Sequence, residues 1–347
     1  MVHLFALALA LFAAPSSSKK ATSSREYYSG LKGSEKRALF EGFISTYEKT
    51  YASDDEKDER YKNFKKFLKL ADERNAKEEE KGGAIHGVTE FADLSEEEIG
   101  QYLLGYNNEA DESRRRLKFK SKVATVQKYE GSETLVNWAD VYTTSVNSQG
   151  YCGSCWAFST AEQIESDSIR AGYLTTNDKL SVQQIVSCDP VDFGCDGGNT
   201  ETAYEYVSKA GGIMLEKDYP YTSFLSIESN CKAVSADMVV TVDSFYTLQS
   251  EADMVDYVKT SGPLSICAAA SSWVSYVGGV VSTCDDEVDH CIQITGVNTE
   301  EGDSYWIIRN SWGTRWGNDG YIYLKTGEDM CAITTDPTFV KVSKVGQ

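Results

Sequence analysis

Gln149-Gly150-Tyr151-Cys152-Gly153-Ser154-Cys155-Trp156 places an amide donor and two cysteines directly in front of a helical pattern. Behind it, Ala157, Ala161, Ile164 and Ser168 recur at helical spacing, and Gly172 supplies a stop. Cys155 therefore falls in the first turn of a helix, where unpaired backbone N–H groups and the positive end of the dipole favour an anion. A thiol at that place is expected to ionise more readily than a free one, and the thiolate is the form that attacks carbonyls.

A thiolate nucleophile needs a proton carrier, and the chain holds three histidines: His3, His86 and His290. His3 lies in an apolar leader and His86 in a segment read below as removable, which leaves His290 as the acid/base. Asn310, in Arg309-Asn310-Ser311-Trp312-Gly313, offers an amide oxygen that can hold one imidazole nitrogen and set the tautomer facing the sulfur, with Trp312 shielding that bond. Gln149, six residues before Cys155, offers a side-chain N–H to a developing oxyanion, with the Cys155 backbone N–H as second donor.

With these residues in place, the chain resembles the papain-like cysteine proteases of the cathepsin-L-like branch. The motif Cys152-Gly153-Ser154-Cys155-Trp156, followed 135 residues on by His290 and 155 on by Asn310, is close to that family's signature of about 130 to 150. Ser187-Cys188-Asp189, Gly194-Cys195-Asp196-Gly197-Gly198, Gly262-Pro263 and Val288-Asp289-His290 are further landmarks, and the likeness runs over residues 35 to 340. It implies an α+β, papain-like two-lobe fold: an α-rich lobe, a β-barrel-like lobe, the active site in the cleft, and a helical pro-domain in front. It also implies disulfides Cys152 with Cys195, Cys188 with Cys231 and Cys284 with Cys331. The substrate-binding positions that it implies are Gly197, Gly198, Asn199, Thr200, Cys267, Asp289, Cys291, Trp312 and Asp336. Asp336, the fifth residue after Cys331, is placed by resemblance at the floor of the pocket for the substrate's P2 side chain. Asn199 and Thr200 replace more apolar residues on its wall. A carboxylate there can pair with a guanidinium, so basic as well as aliphatic P2 residues are expected.

Composition agrees with export. All nine cysteines lie between 152 and 331, which reads as a disulfide framework plus one free thiol. Cys267 and Cys291 remain after the three implied bridges and Cys155; they form a fourth disulfide or stay two buried thiols. The 11 residues Leu4 to Ala14 are apolar, too few to span a bilayer, and read as part of a signal peptide over 1–20. Residues 1–131 carry 23 basic and 23 acidic side chains, whereas 132–347 carry 11 and 30, so the whole net charge of −19 belongs to the C-terminal part. That sign disfavours a nucleic-acid partner.

Glu35 to Gly105 is charged, helical in pattern and free of cysteine and proline. Within it, Glu56, Arg60, Phe64, Phe67, Ala71 and Asn75 match the pro-region helix of cathepsin-L-like zymogens at four of six positions. Gly87, Thr89, Phe91 and Asp93 resemble its second motif. The resemblance implies a helical inhibitory pro-domain over 21–106, and proton linkage leads us to expect that it leaves the cleft in acid as motif carboxylates such as Asp93 protonate and lose their ion pairs. A linker over 107–131 carries the basic run Arg114–Lys122 as a processing site, and the peptidase domain spans 132–347.

The expectation is thus a cysteine endopeptidase made as a secreted zymogen. It needs no cofactor or metal, acts on protein or peptide substrates, is inhibited by its own pro-domain, binds no nucleic acid or membrane, and works as a monomer in a lysosome or vacuole or outside the cell. Two other classes fit parts of the sequence: a dithiol oxidoreductase or zinc site on Cys152-x-x-Cys155, which lacks a βαβ context and further clustered ligands, and a binding protein that has lost catalysis.

Overall fold

The computed structural model describes residues 25–80, 83–107, 121–227 and 229–346. The leader over 1–20 and most of the basic run, Arg114 to Lys120, lie outside them.

Two N-terminal helices, α1 (Gly33–Thr46) and α2 (Asp54–Glu79), cross on aromatic side chains. Phe40 and Phe43 of α1 meet Phe64 of α2 with ring centroids 5.2 Å apart in both pairs. Phe64, Phe67, Leu68, Ala71 and Asn75 repeat on one buried face of α2, and Ser53 caps its start by accepting from the Glu56 N–H. Strand β1 (Ile85–His86) follows, then α3 (Glu96–Leu103), opened by a reciprocal Ser95/Glu98 capping box.

The next strands in the chain are β2 (Lys122–Val123) and β3 (Leu135–Asn137). Cys155–Arg170 forms the helix α4, followed by α5 (Val182–Cys188), α6 (Thr200–Ala210) and β4 (Ile213–Met214). The remainder is mostly sheet: β5 (Met238–Thr247), α7 (Glu251–Thr260), β6 (Leu264–Ala268), β7 (Tyr276–Gly278), β8 (Val280–Val281), β9 (His290–Asn298), β10 (Tyr305–Arg309), β11 (Tyr321–Lys325) and β12 (Thr335–Lys344). The large sheet runs β2-β5-β12-β6-β9-β10-β11-β8, with β3 on β9 and β4 on β5. This path is open and does not close into a barrel among the described residues.

Composition alone divides the C-terminal part more cleanly than the fold does. Leu135–Asn137 precedes the helical lobe in sequence yet pairs with Gly296–Asn298 of the other lobe. Val240, Val242 and Phe245 of β5, with Val340 and Val342 of β12, pack into the core built on Trp156, Ile164 and Tyr204. Helix α4 is buried on nearly every side because it lies between those two layers, so its polar side chains must find protein partners. Glu165 accepts from the Leu180 N–H at 2.7 Å, Asp167 from the Val340 N–H at 2.9 Å, and Glu162 faces Arg309 at 3.5 Å. These contacts fix the helix that presents Cys155 to both lobes.

The N-terminal region shares the core of the sheet lobe. His86 and Ile85 pair antiparallel with Tyr276 and Gly278, and the Phe91 ring meets Trp312 edge-on at 5.6 Å. Glu78 of α2, fully buried, accepts from the backbone and hydroxyl of both Ser282 and Thr283. Asp93 accepts from Lys49 at 3.1 Å and from the Tyr51 hydroxyl at 2.9 Å. Among the described residues, no helix is long and apolar enough to cross a membrane.

Candidate active site

Cys155 is the first residue of α4 and sits fully buried where that helix meets the start of β9. Its sulfur accepts from the Cys291 N–H at 3.5 Å, which sets it beside His290. His290 Nε2 lies 2.8 Å from Asn310 Oδ1. The same oxygen also accepts from the Ser311 N–H at 2.8 Å, which can only donate, so the amide oxygen faces the ring and Nε2 must carry the imidazole proton. Nδ1 is then left with its lone pair and makes no hydrogen bond of good geometry among the described residues, although the Leu103 carbonyl is near enough to act on the ring. Trp312 covers the imidazole with centroids 4.9 Å apart, and Trp273 closes the other side edge-on at 6.3 Å.

Gln149 is held by both lobes. Its backbone N–H donates to Ser311 O at 2.8 Å, and its Oε1 accepts from Ser311 Oγ at 2.7 Å, which turns Nε2 into the cleft. Nε2 faces Cys152 O at 2.9 Å, Tyr102 O at 3.1 Å and Leu103 O at 3.2 Å. Trp312 Nε1 donates to the same Leu103 carbonyl at 3.3 Å. The donors at the mouth of the site are therefore turned on a carbonyl of the chain's own N-terminal region.

That region continues through the cleft. Gly105 packs against Gly153 so closely that a Cβ would stand 2.0 Å from Gly153 O, which only glycine permits. Gly198 N–H donates to Gly105 O at 2.9 Å, Asn107 N–H to Gly198 O at 3.0 Å, and Tyr106 N–H to Asp289 O at 2.9 Å. Tyr106 and Gly198 form a parallel bridge, and the Tyr106 hydroxyl donates to Asp336 Oδ2 at 3.0 Å. Asn199 Nδ2 approaches the same oxygen at 3.5 Å while its Oδ1 caps α6 through the Glu201 N–H. Thr200 begins that helix, and its buried hydroxyl has no partner among the described residues.

Cover changes the site's electrostatics. The sequence leads one to expect an easily ionised thiol at a helix start; instead burial pushes the Cys155 thiol up to about 12, because desolvation outweighs the N–H groups of Cys291 and Gly105 that favour the thiolate. Burial likewise pushes His290 down to about 4 against the opposing pull of the Asn310 oxygen. Asp289 is raised to about 7, again chiefly by burial, although the N–H groups of Ala270 and Ser271 donate to it. In this covered state burial disfavours both the thiolate and the imidazolium.

Disulfides join Cys152 to Cys195, Cys188 to Cys231, Cys284 to Cys331 and Cys267 to Cys291; Cys155 is free. With Cys152 bridged elsewhere, Cys152-x-x-Cys155 cannot cycle as a dithiol. The Cys267–Cys291 bridge links adjacent strands β6 and β9 one residue from His290, and Cys267 also pairs with Thr335 beside Asp336. Sequence reasoning missed Ser311 and Tyr221, whose hydroxyl donates to Gln149 O at 3.0 Å and lies 2.8 Å from Ser154 Oγ. It also missed Leu103, Gly105 and Tyr106 as occupants of the cleft, for which no local pattern exists.

Residues 133–341 match the family model described as papain family cysteine protease, and residues 40–99 match the cathepsin propeptide inhibitor domain (I29). The chain is 31% identical over 303 residues to a viral cathepsin of Lymantria dispar multicapsid nuclear polyhedrosis virus, covering 86% of this chain and 82% of that one. It is 33% identical over 318 residues to cysteine proteinase 2 of Leishmania pifanoi, covering 89% and 70%. Among solved structures it is similar to digestive procathepsin L2 proteinase from Tenebrio molitor larval midgut, with TM-score 0.77, 29% identity and coverage of 88% and 99%.

Proposed function

The chain belongs to the papain family of cysteine proteases with an attached propeptide inhibitor domain, and on that premise we propose a secreted zymogen whose mature form is an endopeptidase acting through Cys155. Once the cleft is open, His290 Nδ1 takes the Cys155 thiol proton and the thiolate attacks the peptide carbonyl while Gln149 Nε2 and the Cys155 N–H stabilise the oxyanion. His290, held by Asn310 through Nε2, passes the proton on Nδ1 to the departing amine, and a thioester acyl-enzyme remains. Water, deprotonated by His290, then attacks the thioester, releasing the acid and restoring the thiol.

The observation that carries this reading is the Leu103 carbonyl, gripped by Gln149 Nε2 and Trp312 Nε1 at the mouth of the site. A peptide carbonyl there is what an acyl-transfer site is built to receive. The pro-domain is proposed to span 21–106 and to act as an inhibitor by lying in the cleft. The segment 107–131 is proposed as the linker that is cut, after a signal peptide over 1–20, to release a peptidase domain over 132–347. The proposed setting is the secretory route, to a lysosome or vacuole or to the outside, with the mature enzyme a monomer that binds neither nucleic acid nor membrane. Basic as well as aliphatic P2 side chains are proposed to enter the pocket of Gly197, Gly198, Asn199, Thr200, Asp289 and the Cys267–Cys291 bridge, above Asp336.

Titration with a thiol-directed epoxide tests the mechanism: one thiol per matured chain reacts, at Cys155, and peptide hydrolysis falls in proportion. Labelling elsewhere, or hydrolysis that survives labelling, would refute it. Comparing Arg-Arg with Leu-Arg substrates in wild type and Asp336→Ala tests the basic P2 reading.

A further inference from the structure

We propose that the pocket above Asp336 selects tyrosine: its carboxylate accepts a phenol hydroxyl, so that the mature enzyme prefers substrates with Tyr over Phe at P2. The inference rests on the peptidase reading above and deepens its account of the pocket. The chain supplies its own probe of the pocket's chemistry in Tyr106. Its backbone is fastened on both sides, by its own N–H to Asp289 O and by the flanking Gly105 and Asn107 to Gly198. With the main chain so held, the side chain reaches Asp336 Oδ2 at 3.0 Å.

The acceptor is positioned in advance. Asp336 adopts a left-handed backbone, φ 50°, a conformation that most side chains avoid and that Asp and Asn tolerate best. Register between β12 and β6 shifts between Thr335 and Thr338, which turns this residue out of the ladder, and the Cys267–Cys291 bridge stiffens the strand that pairs with Thr335. Asn199 Nδ2 stands 3.5 Å from the same oxygen while its own Oδ1 is committed to the α6 cap. A Phe in this pocket lacks the hydroxyl that the half-buried carboxylate accepts. Sites built to bind a hydroxyl reject the analogue that lacks it more strongly than apolar pockets reject an added methylene.

The test is kcat/KM for matured enzyme on three peptides that differ only at P2: Tyr, Phe and Arg. Wild type is expected to favour Tyr over Phe by about tenfold or more. Asp336→Asn keeps an acceptor oxygen and tolerates the same backbone, so it retains part of the Tyr preference while losing acceptance of Arg; Asp336→Ala loses both. Equal rates for Tyr and Phe in wild type would overturn the phenol reading even where Arg is still accepted. A Tyr preference that survives Asp336→Ala would overturn it as well. Loss of Arg discrimination alone speaks only to the basic P2 reading.

Discussion

Replacing His86 with Gln should move activation of the zymogen to lower pH. His86 lies in β1, its backbone clamped by Asn75, which accepts from the His86 N–H at 2.8 Å and donates to its carbonyl at 2.7 Å. Its Nδ1 is 3.0 Å from Ser275 Oγ, and that oxygen already accepts from Arg74 Nη1 at 3.0 Å. A neutral His86 can accept the hydroxyl proton of Ser275 at this contact, and a protonated ring would add a third positive charge beside Arg74 and Arg25. Arg74 on α2 and Arg25 on the N-terminal segment face the ring; Glu78 on α2 is engaged by Ser282 and Thr283, and Asp285 acts on Arg74. Burial first, then the two guanidinium groups, push His86 from 6.5 down to about 3.

A depressed histidine contributes docking stability that is fully present above 6.5 and is lost as pH falls from 6.5 towards 3. At pH 4.5 the gap is two pH units, so docking of the pro-domain weakens by about 2.7 kcal/mol, roughly a hundredfold. Gln accepts from Ser275 and cannot protonate. The assay is the rate of pro-domain release between pH 3 and 7, followed by gel and by epoxide titration. Wild type should accelerate by up to about tenfold per pH unit below 6.5, with His86→Gln flatter over the same range. Coincident pH profiles for the two proteins would refute the reasoning.

Cys155→Ser should leave a folded zymogen with kcat on peptide amides reduced by about four orders of magnitude or more, and His290→Ala should come close to it; steady-state kinetics after processing by an added protease checks both. Glu78→Ala strands two backbone N–H groups and two hydroxyls of Ser282 and Thr283, so the pro-domain should loosen by about 3 kcal/mol and peptide hydrolysis appear at neutral pH without an acid step. Because the buried thiol is raised to about 12, iodoacetamide should scarcely label the native zymogen at pH 7. In denaturant without reductant it should label one cysteine per chain, Cys155, and a second labelled site found by mass spectrometry would contradict the four bridges.

The residues most legible in the sequence are those whose chemistry is local. Cys155 at a helix start, Gln149 six residues ahead and a sole imidazole beyond the pro-region can be placed from spacing and type, and the family resemblance implies that they form one site. The path of residues 102–107 through the cleft could not, because it depends on pairing with Gly198 and Asp289, far away in the chain, and on one close contact between Gly105 and Gly153. Nor does the sequence around His86 mark its burial against Ser275, which depends on the pairing of β1 with β7 far along the chain. The ease of ionisation expected at a helix start is opposed, while the cleft is covered, by an effect the local sequence does not carry. A helix terminus favours an anion by at most about 2 kcal/mol, whereas raising a thiol from 9 to about 12 corresponds to about 4 kcal/mol against the thiolate. Burial wins while the pro-segment is in place. Latency in this zymogen is therefore chemical as well as steric: the burial that blocks access to the cleft also disfavours both the thiolate and the imidazolium.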